Sequence, residues 1–319
     1  MVLETLLADA DAGRPVALCA IVQTKGSTPQ PPGATMLVRS DMSTVGTLGG
    51  GCVEAEVCKR AFELLRAGKS GLLDFLLDHD YGWDDGLICG GRIFVGVTPV
   101  TDARAAAPFR EALERARRRE PADFPILVER DGAQVEYRVH IEVPPTLLIA
   151  GAGHVGQALA RLTPALNFHT VVIDDRADMA SRERFREPVE LHVESIAGAL
   201  RRWPVDAGTY IVIVTRGHQH DHEALDAVVR RPAAYIGLIG SKRKARMILR
   251  DLEQAGVPAE QLARVHTPIG VPIGAITVPE IAVSIAAELV QVRRRSTPEL
   301  VSGPREATQL STTRPEGLP

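Results

Sequence analysis

Four residues in the middle of the chain have the types and spacing that nucleotide chemistry requires: Gly151, Gly153, Gly156 and Asp174. In a G-x-G-x-x-G turn the first glycine makes the tight turn, the second lets the backbone approach a pyrophosphate, and the third lets a helix pack against a strand. The N–H groups at the start of that helix attract an anion. Asp174 is spaced to accept a hydrogen bond from a ribose hydroxyl.

The residues around these glycines supply the elements that would position them. An apolar run at 146–150 precedes Gly151, an amphipathic segment follows, and a second apolar run at 169–174 ends in the acid. Strand, helix and strand in this order predict a Rossmann-like parallel sheet. A fold can persist where its ligand has changed, so NAD is one of several ligands that the pattern allows.

A second glycine cluster, Gly49-Gly50-Gly51, precedes Cys52 and a segment of helical periodicity. Three consecutive glycines are costly in chain entropy, and a close approach to a ligand would explain them. At the start of a helix they could form an anion cradle. The alternative is a helix start that needs positive φ angles, and this feature alone favours neither interpretation.

Two of the four cysteines are candidate functional thiols. Cys89 lies beside Gly90 and Gly91, where we expect it to be reachable, and Cys52 follows the glycine cluster. Cys19, in contrast, lies inside an apolar run that is typical of a core thiol. The four cysteines show no C-x-x-C spacing, which argues against a structural zinc site.

Two polar segments in the second half are expected to follow parallel strands. His218 and Asp221 belong to a run of three histidines and one acid in five residues, which either binds a metal or faces another kind of ligand. Ser241, Lys242 and Arg243 begin a predicted helix with cationic first turns. Cations there oppose the helix dipole, so a phosphate or acidic partner would stabilise them; a solvated basic surface is the alternative.

The composition suits a globular protein with no bias towards nucleic acid or membranes. The chain has 319 residues, of which 45% are hydrophobic and 24% charged, and its net charge is −3. We therefore expect neither nucleic acid nor a membrane surface as a partner. No run reaches the ~20 apolar residues of a membrane span. The first residues do not resemble a secretory leader, so we expect reduced thiols in a cytoplasmic compartment.

The length of the chain and a pair of consecutive prolines predict two domains. Pro144-Pro145 marks the boundary between an N-terminal α+β domain, 1–143, and a Rossmann-like domain, 144–295. Residues 296–319 are rich in Ser, Thr, Pro and Glu, a composition typical of disorder. The expected fold class is therefore α/β, with a C-terminal parallel-sheet domain and an N-terminal α+β domain.

Several longer motifs occur together and in order. They read GSTPQPPGATMLV, GTLGGGCVEAEV, GLICGG, LLIAGAGHVGQAL, VTRGHQHDHEAL, YIGLIGSKRKA and RVHTPIGVPIGAITVPEIAVSIAAEL. Across residues 15–294 the chain resembles the XdhC/CoxI family of molybdoenzyme maturation proteins, the xanthine dehydrogenase accessory factors. The resemblance implies a cytoplasmic homodimeric chaperone that binds the molybdenum cofactor. It also implies that a cysteine desulfurase sulfurates the bound cofactor and that an apo-molybdenum hydroxylase of the xanthine dehydrogenase type receives it.

The resemblance also implies which residues contact the cofactor, as molybdopterin or its dinucleotide form. Cys89, or else Cys52, would contact the molybdenum, because a thiolate is a soft ligand. The cofactor-binding set that it implies is Gly49, Gly50, Gly51, Cys52, Cys89, Gly90, Gly151, Gly153, His154, Gly156, Asp174, His218, Asp221, Ser241, Lys242 and Arg243. Departures from the family pattern at His220, at His222 and after Arg176 leave the form of the cofactor open.

A carrier fits these residues better than a catalyst. A hydride-transfer enzyme needs a general acid or base placed against its substrate, and the sequence offers no obvious pair. An NAD(P)-dependent oxidoreductase remains the alternative, supported by the fingerprint and Asp174. A regulatory nucleotide sensor would need the Rossmann half alone. Neither alternative explains the N-terminal motifs that contain Cys52 and Cys89.

Overall fold

The structure, a computed structural model, describes residues 2–77, 90–130, 132–296 and 300–306. The chain divides into two units. Unit 1 comprises residues 1–143 together with the segment that begins at Pro298, and unit 2 comprises residues 144–297. None of the helices in the described ranges combines the length and the apolar character that crossing a membrane requires.

Unit 1 combines helices with two antiparallel sheets. Its helices are Val2–Asp11 (α1), Gly51–Ala67 (α2) and Ala103–Arg117 (α3). Its strands are Val16–Lys25 (β1), Thr35–Arg39 (β2), Thr44–Gly46 (β3), Gly71–Leu76 (β4), Arg92–Val100 (β5), Ala122–Arg130 (β6), Ala133–Ile141 (β7) and Val301–Glu306 (β14). The five-stranded sheet has the order β3-β2-β1-β5-β4 and the three-stranded sheet the order β14-β7-β6.

The core of unit 1 lies on both faces of the larger sheet. β1 is its central strand, and residues 16–22 are buried without a break. Helix α2 packs on one face through residues such as Val57 and Ala61. Helices α1 and α3 and the smaller sheet cover the other face. Burial on both faces explains why β1 reads as a continuous apolar run instead of an alternating one.

The C-terminal strand corrects one prediction. Disorder was expected from residue 296, but helical structure continues to Ser296 and residues 301–306 form β14. β14 pairs antiparallel with β7, and Val301, opposite Val139, is 8% exposed. The backbone N–H groups and carbonyls along β7 need partners, which a strand of almost any polar composition can supply. Composition alone therefore misled; residues 307–319 lie outside the described part.

Unit 2 is a parallel sheet with helices. Its strands are Thr146–Ala150 (β8), His169–Asp174 (β9), Glu190–Val193 (β10), Thr209–Ile213 (β11), Tyr235–Leu238 (β12) and Val265–His266 (β13). Its helices are His154–Leu162 (α4), Ile196–Arg202 (α5), His218–Val228 (α6), Lys242–Gln254 (α7), Ala259–Leu262 (α8) and Val278–Ser296 (α9). The order β10-β9-β8-β11-β12-β13 is the 3-2-1-4-5-6 order of the Rossmann fold.

Helices cover both faces of this sheet. α4 and α9 pack on one face through residues such as Leu159 and Ile285. α5, α6 and α7 pack on the other through residues such as Leu200, Leu225 and Ile248. The strands β8, β9, β11 and β12 are almost completely buried between them, as expected of a parallel sheet that is covered on both faces. The predicted fold class, a Rossmann-like parallel sheet together with an N-terminal α+β domain, is confirmed.

Candidate functional site

The loops after β8 and β11 lie side by side, at the point where the strand order reverses. Gly151 has a φ of +120°, and a Cβ on it would lie 2.5 Å from the carbonyl oxygen of Val214. A Cβ on Gly156 would lie 2.1 Å from the carbonyl oxygen of Gly151. The protein's own packing therefore requires both glycines. In open α/β sheets this switch point is where ligands bind.

Gly153 is different, because nothing in the protein requires a glycine there. It caps the N-terminus of α4 with a φ of −66° and a ψ of −174°, which any residue can adopt. A Cβ on it would meet no atom within 4 Å. His154, the next residue, is exposed. The space beside Gly153 is open and no side chain of Gly153 caps the start of α4, as a phosphate-binding helix start requires.

Asp174 is fully engaged by the chain itself. It is 1% exposed and accepts four hydrogen bonds: from the backbone N–H of Ala152 at 2.7 Å, and from the backbone N–H, Nε and Nη2 of Arg176. Burial acts to raise its pKa, but these hydrogen bonds outweigh burial and hold the pKa below its ordinary value. Asp174 thus anchors the glycine loop, and a ribose hydroxyl would have to displace one of its present donors.

The N-terminus of α6 faces the same switch point. Its cap, Gly217, has extended backbone, with a φ of −169°, and a Cβ there would meet nothing within 4 Å. His218 begins the helix, and its Nε2 atom is buried with no hydrogen-bond partner among the described residues. The open helix start and the unsatisfied buried nitrogen leave this position accessible to a polar ligand.

Asp221 does not reach the solvent. It is 0% exposed, accepts a hydrogen bond from the Thr215 hydroxyl at 2.5 Å and forms an ion pair with the Lys244 ammonium group. A buried carboxylate of this kind needs such partners. Asp221 therefore ties the loop after β11 to α7 and holds Lys244 in place; it is a positioning residue.

The N-terminus of α7 carries cations of two kinds. Ser241 caps the helix by accepting a hydrogen bond from the backbone N–H of Lys244. Lys244 is neutralised by Asp221, whereas Lys242 and Arg243 are exposed, and none of the described carboxylates pairs with them. Two unneutralised cations at a helix start create a positive potential that favours an anion.

In unit 1 the glycine cluster holds an anion that belongs to the chain. Gly49, Gly50 and Gly51 have φ angles of +121°, +82° and +68°. One carboxylate oxygen of Glu54 accepts hydrogen bonds from the backbone N–H groups of Leu48 and Gly50, at 2.6 and 2.8 Å. Burial acts to raise the pKa of Glu54, but these bonds and one from a threonine hydroxyl hold it below its ordinary value. The glycines therefore have the positive φ angles that one interpretation expects. They also form an anion cradle, as the other expects, but the anion is the chain's own Glu54.

The described cysteines differ in burial. Cys52 lies in the first turn of α2 and is partly exposed, whereas Cys19 and Cys58 are buried. Burial raises the pKa of the Cys19 thiol and that of Cys58. A neutral buried thiol is a poor metal ligand, because the thiolate is the form that binds. Among these three, Cys52 is the one placed to contact a ligand.

Cys89, the other candidate thiol, lies outside the described residues. Gly90 is described: its N–H donates to the carbonyl oxygen of Leu77, and it forms an isolated bridge with Ser27. A Cβ on Gly91 would lie 2.0 Å from the carbonyl oxygen of Ser27. At least Gly91 is therefore explained by close packing against the loop after β1.

The histidine-rich segment forms no metal site with the side chains that the structure describes. Nowhere in the described ranges do three His, Cys, Asp or Glu side chains come together as metal ligands. His220 instead accepts a hydrogen bond from the Nε of Arg216 at 3.2 Å. The metal interpretation of this segment therefore receives no support from the described geometry.

Sequence reasoning missed four residues that shape these loops: Arg176, Gly217, Lys244 and Glu54. Gly217 had a readable signal, since it stands directly before a predicted helix. Arg176 and Lys244 act through side-chain pairs across a turn or between helices, and Glu54 accepts hydrogen bonds from backbone N–H groups of the glycine cluster. No single-sequence pattern reveals these contacts.

The fold and the switch-point loops define a class: a two-unit protein whose second unit is a Rossmann domain with open anion cradles. Comparison with known families refines this. A profile described as "XdhC Rossmann domain" matches residues 147–289, and one described as "XdhC and CoxI family" matches residues 10–76. The chain belongs to the XdhC and CoxI family, as its motifs predict.

Three curated relatives are similar over most of this chain. The uncharacterized protein YqeB of Escherichia coli is 32% identical over 91% of the chain, which spans 46% of that relative's length. A Bacillus subtilis protein, named as a probable xanthine dehydrogenase subunit, is 27% identical, and the match covers 97% of that relative's length. The molybdenum cofactor insertion chaperone PaoD of E. coli is 24% identical, and the match covers 85% of that relative's length.

A solved structure supports the fold. A crystal structure from Bacillus halodurans, described as a xanthine dehydrogenase, superposes with a TM-score of 0.78 at 24% identity. The match covers 93% of this chain and 97% of that one. At this identity the likeness establishes the fold alone.

Proposed function

We propose that this protein is a carrier of the molybdenum cofactor that serves the insertion of that cofactor into a xanthine dehydrogenase-type molybdenum hydroxylase. The observation that carries the proposal is the open cradle at Gly153, a helix cap where neither backbone conformation nor packing requires glycine. The similarity to the insertion chaperone PaoD supports the same interpretation.

The residues present fit an anionic pterin cofactor. A phosphate would lie at the helix start at Gly153, where a built Cβ meets no atom within 4 Å and the cap residue makes no side-chain hydrogen bond. The unsatisfied Nε2 atom of His218 supplies a further polar contact. When bound, the cofactor supplies the redox chemistry of its metal to the client enzyme; the chain's part is to bind it, orient it and release it.

Cys52 is our candidate for a soft contact to the molybdenum in unit 1, together with Cys89. Its partial exposure supports this role, whereas Cys19 and Cys58 are buried. Thiolates are the protein ligands best suited to a soft metal centre. We further propose that the carrier is a cytoplasmic homodimer and that a cysteine desulfurase sulfurates the cofactor on it.

An NAD(P)-dependent oxidoreductase is the second candidate, because unit 2 has the full Rossmann strand order. The state of Asp174 weakens it. In NAD enzymes the fingerprint acid reads the ribose hydroxyls, but here its acceptor positions are filled by Ala152 and Arg176.

Equilibrium binding of isolated molybdenum cofactor tests the proposal, with bound molybdenum and pterin both quantified and NAD and NADP titrated in parallel. We expect stoichiometric molybdenum and pterin. Gly153→Ala should weaken retention, because its Cβ occupies the cradle. The matched control Gly208→Ala, also at an unstrained glycine of unit 2, should not. Tight NAD or NADP binding without pterin would overturn the carrier role.

The two thiols are tested in the same assay. Cys52→Ala and Cys89→Ala should each be compared with Cys58→Ala for bound molybdenum per bound pterin. A lower ratio in either of the first two, with Cys58→Ala unchanged, assigns the soft contact. Unchanged ratios in both would remove the thiolates from the site.

A further inference from the structure

Helix α9 belongs to a motif that the candidate cofactor site leaves unexplained. The motif covers residues 264–289, and none of the candidate cofactor contacts lies in it. Within residues 278–289 the charged side chains are those of Glu280 and Glu288, and Glu288 is mostly buried, with 13% exposed. A helix that is apolar nearly all round is normally covered on every side.

One side of α9 is packed against its own unit and the opposite side is not. Ala282, Ile285 and Leu289 are 0% exposed in the core of unit 2. Val283 is 49% exposed, and Ala287 is exposed as well. Residues four apart are neighbours on a helix surface, so Val283 and Ala287 form part of one exposed apolar face.

The loop before α9 enlarges this exposed face. Ile273 is 52% exposed and Ile276 is 87% exposed. The loop is fixed to the helix, because the Val271 N–H donates to the Ser284 carbonyl oxygen at 3.2 Å and the Ser284 hydroxyl donates to the Val271 carbonyl oxygen at 2.7 Å. Single exposed apolar residues are normal in a protein, whereas a group such as this one marks a contact surface.

The charges on the exposed face of α9 lie at its two ends. Glu280 is exposed, and its Oε2 accepts hydrogen bonds from the backbone N–H groups of Ile276 and Thr277. Arg294 is exposed near the other end of the helix. Each is seven residues from Ala287, which is close to two helical turns, or about 10 Å. The face therefore has an acid at one end, a base at the other and a small side chain at its centre.

We infer that this face binds a second copy of the chain, with the two α9 helices antiparallel about a twofold axis at Ala287. A twofold contact is self-complementary, so it requires opposite charges at equal distances from its centre. Glu280 of each copy lies against Arg294 of the other. The small side chain of Ala287 allows a close approach of the helices, and Val283 fills the space beside it.

This inference rests on the homodimer of the proposed function, which it deepens by naming the contact surface. It does not depend on whether the chain carries a cofactor. A partner of another sequence would not require charges placed symmetrically about the centre of the face, so the arrangement favours a second copy over a client protein.

Sedimentation velocity of the full chain over a range of concentrations tests the inference. We expect a dimer that dissociates on dilution. Val283→Lys should raise the dimer dissociation constant about tenfold or more, because the twofold axis brings two added charges into an apolar contact. Met247→Lys is the matched control, since Met247 is 48% exposed on α7 and Val283 is 49% exposed on α9. It should change the constant by less than about twofold.

Mixing two variants tests the antiparallel arrangement. Glu280→Lys and Arg294→Glu should each weaken the dimer, because each places like charges at both ends of the contact. An equimolar mixture of the two should dimerise again, because the heterodimer has an opposite pair at each end. Arg295→Glu is the control for Arg294→Glu: Arg295 is exposed but projects about 100° away around the helix. Loss of a folded state in one variant could not be restored by mixing.

The remaining outcomes separate this contact from the other proposals. If the parent is a monomer at every concentration, the homodimer and its contact surface are both wrong, and cofactor retention still decides the carrier role. If the parent is a dimer that Val283→Lys does not weaken, the homodimer stands and the α9 contact is wrong. If the parent is a monomer that binds an apo-molybdenum hydroxylase and Val283→Lys removes that binding, the face belongs to the client and the inference fails.

Discussion

The four hydrogen bonds to Asp174 make a sharp prediction for Asp174→Asn. An amide has a single oxygen, so part of the donor set formed by Ala152 and Arg176 would face an NH₂ group instead of an acceptor. A buried donor left without a partner costs about 1–3 kcal/mol. Arg176 is 30% exposed and can rehydrate, whereas Ala152 is 0% exposed and cannot. We expect a loss of about 2–4 kcal/mol in the free energy of unfolding of unit 2.

The assay is urea unfolding followed by tryptophan fluorescence. In a Trp83→Phe background Trp203 is the remaining tryptophan, and its ring lies 5.4 Å from that of His192 within unit 2. Asp175→Asn is the matched control, because that carboxylate is 43% exposed and holds one contact at 3.3 Å. It should stay within ~0.5 kcal/mol of the parent. An Asp174→Asn protein that is equally close to the parent would refute the reasoning.

The pH dependence gives an independent check. Because the pKa of Asp174 in the folded state is lowered, its stabilisation is complete above the unfolded value near 3.8. It is lost as the pH falls through the lower folded value. The difference between the parent and Asp174→Asn should therefore be constant near neutrality and shrink below pH 3.8.

Three other perturbations have defined outcomes. Gly156→Ala places a Cβ 2.1 Å from the carbonyl oxygen of Gly151 and should cost about 1–3 kcal/mol or more, visible as a lower Tm. Glu54→Gln removes a charged acceptor from the glycine cluster; we expect about 1–3 kcal/mol less stability in unit 1 at neutral pH and faster local amide exchange, and unchanged exchange would contradict the role of Glu54. In a Cys89→Ser background, iodoacetamide should label Cys52 before the buried Cys58, as mass spectrometry of peptides can show.

The β8–α4–β9 unit was predictable because its signals are local. Apolar runs, glycines at fixed offsets and a terminal acid lie within a short stretch, and the physics that uses them acts over the same stretch. The glycines Gly151 and Gly156 do what the pattern predicts. Gly153 has open space beside it, and its contact with an anion stays a prediction.

The role of Asp174 was not predictable from the same pattern. Its position follows from the spacing, but whether its carboxylate faces a ligand or Arg176 depends on side-chain conformations that packing decides. The Asp221–Lys244 pair has the same character, since it joins two helices whose relative placement follows from the whole sheet. The sequence therefore does not distinguish polar residues that face a ligand from polar residues that hold other side chains in place. The structure makes this distinction.

The strand β14 was missed for a different reason. Its pairing with β7 joins residues that are more than 150 positions apart, and the pattern of its residues is polar. Local composition indicates whether a segment has enough apolar residues to form a core by itself, and this segment has too few. It instead adds a strand to a sheet formed by β6 and β7, for which backbone hydrogen bonds suffice.

Because β14 follows unit 2 in the sequence, unit 2 is inserted between the first part of unit 1 and the last strand of unit 1. During synthesis the ribosome delivers all six strands of the Rossmann sheet before the last strand of the smaller sheet of unit 1. Unit 2 can therefore finish folding on the nascent chain while unit 1 still exposes the edge of β7. A ribosome stalled near residue 297 would release a protein with a complete Rossmann fold and an unprotected edge strand, the kind of intermediate that chaperones recognise.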